Sequence, residues 1–311
     1  MKSLPYHLRT NKAVDRYMLV EVLKRVVPEY SGPTKYRYVG MGGAFLEDLK
    51  VIEQYFPDMP LISIEEEPEI LKRQEFHRFK RDLDLSCQTD KDFVAHMPDE
   101  SLVALWFDYF GCEPRNFEHF GSAVRKAAAG SVLRISLSAG FRTEEVFRTK
   151  FGENFAQILP ANWESYFENE DTYLVMLQKM VELVTLPPPM AGFGFHVINS
   201  STYRDGARML TITGIKCLDG EWPKIRRLFS GWPFRTKSWD QRPFKINVPD
   251  LSFQERMRLA AVLPTTSKTP GKRLHRRLGY SIANSDKATA DDLENYAAFS
   301  RYFPVFARLA M

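Results

Sequence analysis

Tyr38-Val39-Gly40-Met41-Gly42-Gly43-Ala44-Phe45 joins a short β-rich run, Tyr36 to Val39, to a segment in which Phe45, Leu49, Ile52 and Phe56 share one helical face. Glycines at a strand-to-helix turn let the backbone bend sharply and let a ligand come close where a Cβ would collide. Such a turn is common among α/β proteins, so Glu65 adds weight to it. Glu65 stands 22 residues after Gly43, at the end of the next apolar run, Leu61-Ile62-Ser63-Ile64. A carboxylate there can accept hydrogen bonds from both hydroxyls of a ribose. The cluster Glu65-Glu66-Glu67 also suits a solvated helix N-terminus, because Pro68 fits a first helical turn and acids there complement the helix dipole. Two phosphate-binding patterns are excluded: G-x-G-x-x-G is broken at Phe45, and the chain has no GxxxxGK[ST].

The alternation of strand and helix continues beyond this unit. Leu83–Cys87 reads as a short strand, and Leu102 to Phe107 is nearly all apolar, as in a strand covered on both faces. Asn116 to Ala129 is helical and Ser131 to Leu137 is the fifth strand. A long helix, Ser165 to Val184, precedes Pro187-Pro188-Pro189. Phe195–Tyr203 and Ala207–Ile215 then flank Arg204-Asp205-Gly206, a hairpin signal. The expected class is α/β: a doubly wound, mostly parallel seven-stranded sheet closed by an antiparallel hairpin, with a mainly helical C-terminal domain. The boundaries fall at 1–34 for an N-terminal helical lead-in carrying Val14, Met18, Val22 and Val26 at a spacing of four, 35–217 for the nucleotide-binding domain, and 218–311 for the tail.

The chain has 311 residues, 44% hydrophobic and 26% charged, as in an ordinary globular protein. No apolar run approaches the ~20 residues that span a bilayer, and the N-terminus lacks the apolar stretch of a secretory signal. Cys87, Cys112 and Cys217 have no CxxC spacing, which argues against a disulfide framework or a cysteine zinc site and for a cytoplasmic location. His77, His96, His119 and His196 are isolated, without metal-ligand spacing. The net charge of +4 is uneven: residues 218–311 hold 17 Lys+Arg against 9 Asp+Glu, so any polyanionic partner is expected at the tail, unless that surface is merely solvated.

The order strand–GMGG–helix, strand–Glu65, Thr89-Asp90-Lys91-Asp92-Phe93, then Leu105-Trp106-Phe107-Asp108-Tyr109-Phe110-Gly111 resembles the class I S-adenosylmethionine-dependent methyltransferases over about residues 35–217. Adenosylmethionine carries no phosphate and tolerates a wider turn than a dinucleotide. The resemblance implies that Gly40 and Gly42 line the methionine portion, Glu65 the ribose, and Asp90 or Asp92 the adenine amino group. Met41, Gly43, Glu66 and Tyr109 complete the implied cofactor set. Asp108, at the end of the fourth strand, is implied to face the methyl and the acceptor, as a general base, as a cofactor contact or as a structural cap. The chain departs from the family at three places, one of them the loop, which is GMGG rather than GxGxG. Arg37-Tyr38-Val39 replaces an acidic first strand, and Asp108-Tyr109-Phe110-Gly111 is not the [DNS]PP[YF] of enzymes that methylate nucleic-acid amino groups. Asp-x-Phe-Gly after an N-terminal helix also resembles the three-Cys-motif partner family.

The expected activity is methyl transfer from adenosylmethionine to an unknown acceptor. The rivals are a binding or regulatory subunit that has lost transfer chemistry, and a nucleic-acid binder acting through the C-terminal region. Lys268-Thr-Pro-Gly-Lys272-Arg273-Leu-His275-Arg276-Arg277 reads as a basic loop between a Ser252/Glu255 capping box and a Thr289/Asp292 one. Trp222, Trp232, Phe234 and Trp239 among Arg226, Arg227, Arg235 and Lys237 either stack bases or pack a small core. Tyr6, His7, Arg9 and Lys12 either fold over the cofactor carboxylate or form a loose arm.

Overall fold

The computed structural model describes residues 9–302 apart from 31, 33–34, 152–156 and 189–190; Tyr6 and His7 lie outside the described residues. Helix α1 (Thr10–Val26) buries Val14, Met18, Val22 and Val26, the four residues spaced by one helical turn. The strands β1 (Arg37–Gly40), β2 (Leu61–Glu65), β3 (Asp84–Cys87), β4 (Val103–Asp108) and β5 (Val132–Ser138) are joined by α2 (Glu47–Tyr55), α3 (Pro68–Phe76), α4 (Asp90–His96) and α5 (Pro114–Lys126). All their pairings are parallel, β1 lying between β2 and β4. After α6 (Glu144–Phe151) and α7 (Glu170–Val184) come β6 (Phe193–Asp205) and β7 (Ala207–Leu218), and β7 runs antiparallel to β5. Gly206 takes φ 92° at the hairpin, the left-handed geometry that a residue without Cβ adopts freely.

The sheet order is β3-β2-β1-β4-β5-β7-β6-β8, so the expected seven strands are eight. The addition, β8 (Phe244–Ile246), is three residues long, too short to show a period-two pattern. Progression along the sheet reverses between β1 and β4. In such folds the crevice beyond the carboxyl ends of those two strands is where ligands bind. The core beneath is built from Val39, Leu105, Phe107, Leu133 and Ile135 against Phe117, Phe120 and Val124 of α5 and Leu174, Leu177 and Val181 of α7.

The chain divides into two compact units. The larger comprises residues 19–202 and 207–244, running past Cys217; the described part of the smaller comprises 9–18, 203–206 and 245–302. The larger one also holds α8 (Trp222–Leu228), and the smaller one holds α9 (Phe253–Ala260), α10 (Pro270–Leu278) and α11 (Asp286–Phe299). The Ser252/Glu255 capping box forms, with both reciprocal hydrogen bonds. Two expectations fail here. The stretch taken for a basic loop is helix α10: Pro270 sits in its first turn, Gly279 ends it at φ 86°, and Leu274 and Leu278 are buried. The cap of α11 is Ser285, not Thr289; Thr289 is buried within the helix, and its hydroxyl accepts from the backbone of Ile282 and Ala283. The long helix expected from Ser165 starts at Glu170, capped by Asn169, after a separate 3-10 turn at Trp163–Phe167.

Candidate active site

The glycine bend is built against its neighbours. Gly42 and Gly43 have φ 52° and 54°, and the Leu46 amide donates to the Gly42 carbonyl at 3.0 Å. A Cβ on Gly42 would fall 2.4 Å from Ser63 Oγ. That hydroxyl, on β2, donates to Gln74 Oε1 (3.0 Å), and Gln74 Nε2 donates back to the Gly43 carbonyl (3.0 Å). The bend is thus pinned from β2 and α3 by a buried relay. A Cβ on Gly40 would fall 2.4 Å from Asp48 Oδ2, which accepts from the Tyr38 hydroxyl at 2.8 Å. Asp48, in the first turn of α2, drew no attention in the sequence because the signal for it is the empty space at Gly40, eight residues away. The outer side of the bend is open: a Cβ on Gly43 would meet nothing within 4 Å.

Strand register places two carboxylates at one height on either side of this bend. Gly40 lies opposite Ser63 on β2 and Trp106 on β4. Glu65 and Asp108 are each two residues further on, so by strand alternation they share the faces of Ser63 and Trp106. Glu65 Oε1 accepts from the Glu67 amide at 3.0 Å. Burial pushes its carboxyl above the usual range, against the pull of the Glu67 and Glu66 amides. Glu66 is exposed and Met41 half-buried beside the bend. Asp108 is half-buried over a stiff platform in which Trp106 Nε1 donates to Ser136 Oγ (2.9 Å) and the Arg134 guanidinium lies 4.5 Å from the Trp106 ring centre.

Tyr109 does not join Asp108. Its ring packs beside Phe107, and its hydroxyl donates to Asp90 Oδ2 at 2.5 Å. The same oxygen accepts from His119 Nδ1 at 2.7 Å, while Asp90 Oδ1 accepts from the Lys91 amide. Burial first, then the Asp90 charge, raises the Tyr109 phenol well above its ordinary range, so it stays neutral. His119, isolated in sequence, is therefore part of a side-chain cluster, joined to Asp90 by the packing of α5 on α4 across 29 positions. Asp92 is exposed in the first turn of α4, whose cap is Thr89: Thr89 Oγ1 accepts from the Asp92 amide at 3.0 Å and donates to the Asp92 carboxylate at 2.7 Å.

The aromatic residues offered as base-stacking candidates pack instead. Trp232 and Phe234 are buried, Trp239 lies against the core, and Trp222 stacks on His196 at 4.2 Å. A cavity of about 200 Å³ lies away from the bend, between Arg37, Val39, Ile62, Phe93, Met97 and Val103. No helix among the described residues is long and apolar enough to cross a membrane.

A protein family described as "Putative O-methyltransferase" matches residues 4–311. No curated protein matches the sequence. Solved structures similar to this chain include the plantazolicin methyltransferase BpumL in complex with SAH (11% identity, TM-score 0.42, covering 66% of this chain and 85% of that one). Two others are a probable spermidine synthase from Corynebacterium glutamicum (12%, 0.43, 77% and 82%) and the fibrillarin pre-rRNA processing protein of Methanococcus jannaschii (10%, 0.38, 59% and 68%).

Proposed function

The chain belongs to the family described as "Putative O-methyltransferase", it is an adenosylmethionine-dependent methyltransferase, and from that premise we propose how its residues divide the work and that the acceptor atom is an oxygen. The observation that carries the assignment is the pair of carboxylates, Glu65 and Asp108, at equal height on the two strands flanking a glycine bend whose outer side is open. These residues fit adenosylmethionine. Positive-φ glycines leave backbone free to approach its methionine portion, Glu65 accepts from its ribose hydroxyls, and Asp48 supplies the carboxylate for its ammonium that the first strand lacks.

When bound, adenosylmethionine supplies a methyl on a sulfonium, open to in-line displacement. The protein's own work is alignment and exclusion of water, which can be worth several kcal/mol of barrier. Asp108 stands on the acceptor side of the bend and accepts the hydroxyl proton as the oxygen becomes a nucleophile. Asp90 holds Tyr109 and His119 together, and this cluster would form the wall beside the adenine. Cys87, Cys112 and Cys217 all stand as free thiols, and we place the protein in a reducing cytoplasm.

Calorimetry with adenosylmethionine and adenosylhomocysteine tests the core of this reading. Micromolar binding that weakens at least tenfold in Glu65→Ala supports it; no heat with either ligand near a millimolar refutes it. A polyanionic acceptor is the second reading, favoured by Lys272, Arg273, Arg276 and Arg277, all exposed on α10 while Leu274 and Leu278 are buried.

A further inference from the structure

Two polar atoms are buried without a partner just beyond β5. The Tyr173 side chain, in the first turn of α7, is fully buried, and its hydroxyl makes no hydrogen bond among the described residues. Its ring sits between Phe141, Phe167 and Phe147, with centroids 5.6, 5.7 and 6.4 Å away. Arg142, four residues after the end of β5, has its Nη1 buried and equally unpartnered, and it forms no ion pair among the described residues. A buried hydroxyl or guanidinium nitrogen left unsatisfied is costly, and in native proteins such a group calls for an explanation such as a ligand. The two groups belong together: Phe141, next to Arg142 in the chain, packs edge-on against the Tyr173 ring at 5.6 Å, and the Arg142 charge acts on the Tyr173 hydroxyl and on the thiol of Cys112. Cys112 is fully buried in the loop after β4, and burial pushes its thiol up to about 12, so it gives Arg142 no counter-charge.

The surroundings say what would sit there. A guanidinium only donates, and a phenol donates readily, so the matching group is an oxygen acceptor bearing negative charge. The carboxylate that acts on this cluster, Glu113, is held by Arg115 at 3.0 Å and by Lys150 at 3.7 Å. At the same sheet edge two large apolar side chains are exposed, Phe110 after β4 (84%) and Phe141 after β5 (44%). β4 separates this cluster from the glycine bend on β1, so it lies on the Asp108 side.

We propose that Arg142 and Tyr173 form the seat for a carboxylate on the methyl acceptor, a small aromatic acid whose ring meets Phe110 and Phe141. This deepens the methyltransferase reading and rests on it. The seat fixes one end of the acceptor and leaves its hydroxyl to reach Asp108.

The test uses the whole protein saturated with adenosylhomocysteine, whose own binding is measured first. 4-Hydroxybenzoate and its uncharged methyl ester are then titrated. The expected result is at least a tenfold preference for the carboxylate, abolished in Arg142→Gln and cut several-fold in Tyr173→Phe. Tyr173→Phe also raises the melting temperature, because it deletes an unsatisfied buried hydroxyl; a purely structural tyrosine would not lose binding while gaining stability. Equal affinity for acid and ester, no binding of either, or a preference that survives both substitutions overturns the seat alone. Failure to bind adenosylhomocysteine overturns the cofactor reading, and the seat with it.

Discussion

Gly40→Ala isolates the physics of the bend, because Gly40 is not among the residues with positive φ and alanine suffers no backbone strain there. The cost is steric. The new methyl would sit 2.4 Å from Asp48 Oδ2 and 3.1 Å from the Tyr38 ring, so Asp48 must move and its 2.8 Å bond from Tyr38 breaks. Losing a hydrogen bond to a charged group costs about 1.5–3 kcal/mol, and overpacking roughly 1–3 kcal/mol more. Against this stands about 0.4–1 kcal/mol from the stiffer unfolded chain. The net is about 3 kcal/mol, a fall in melting temperature of roughly 6–12 °C for a unit of this size. Thermal denaturation followed by circular dichroism reads it directly. Asp48→Ala removes the obstructing carboxylate, so adding Gly40→Ala in that background costs under about 1 kcal/mol, a coupling of about 2 kcal/mol. The double variant is scarcely less stable than Asp48→Ala alone, and it binds adenosylmethionine poorly because the ammonium has lost its partner. An equal penalty for Gly40→Ala in both backgrounds would refute the reasoning.

Three further outcomes follow from named contacts. The half-buried Glu65 carboxyl titrates above its unfolded value, so the native state binds more protons in that window and stability declines as pH rises through it; Glu65→Gln therefore raises the melting temperature at neutral pH, and the gain vanishes below the ordinary carboxylate range in a pH series of melting curves. Gly271→Ala places a Cβ 2.0 Å from the Ala290 carbonyl, backbone that cannot step aside; limited proteolysis of the smaller unit accelerates, while adenosylhomocysteine affinity stays unchanged by calorimetry. If the acceptor is a polyanion, the log–log salt slope of its binding flattens by roughly two when Arg276 and Arg277 are both replaced by Gln; a slope unmoved by the substitutions removes α10 from the interface.

The parallel sheet, the glycine bend and the positions of Glu65 and Asp108 were legible because their signals are local: apolar runs of strand length, glycines where the chain turns, an acid where a strand ends. The pairings around them were not. Asp90 meets His119, Ser63 reaches Gln74, and Arg142 neighbours Tyr173 only after helices dock on the sheet, and no short-range pattern encodes that. Helix α10 was hidden by its composition: five basic residues among nine masked Leu274 and Leu278, although Pro270 and Gly279 marked both ends. The eighth strand was hidden by brevity.

The smaller unit draws on three separate stretches of chain, one of them the tip of the β6–β7 hairpin. No single cut can free it as an independent fragment, and no fusion at one terminus could have added it whole. Exchanging it between relatives would need four coordinated crossovers, one at each junction between the two units, so bench chimeras of this protein are better made by swapping loops at the sheet edge than by swapping halves.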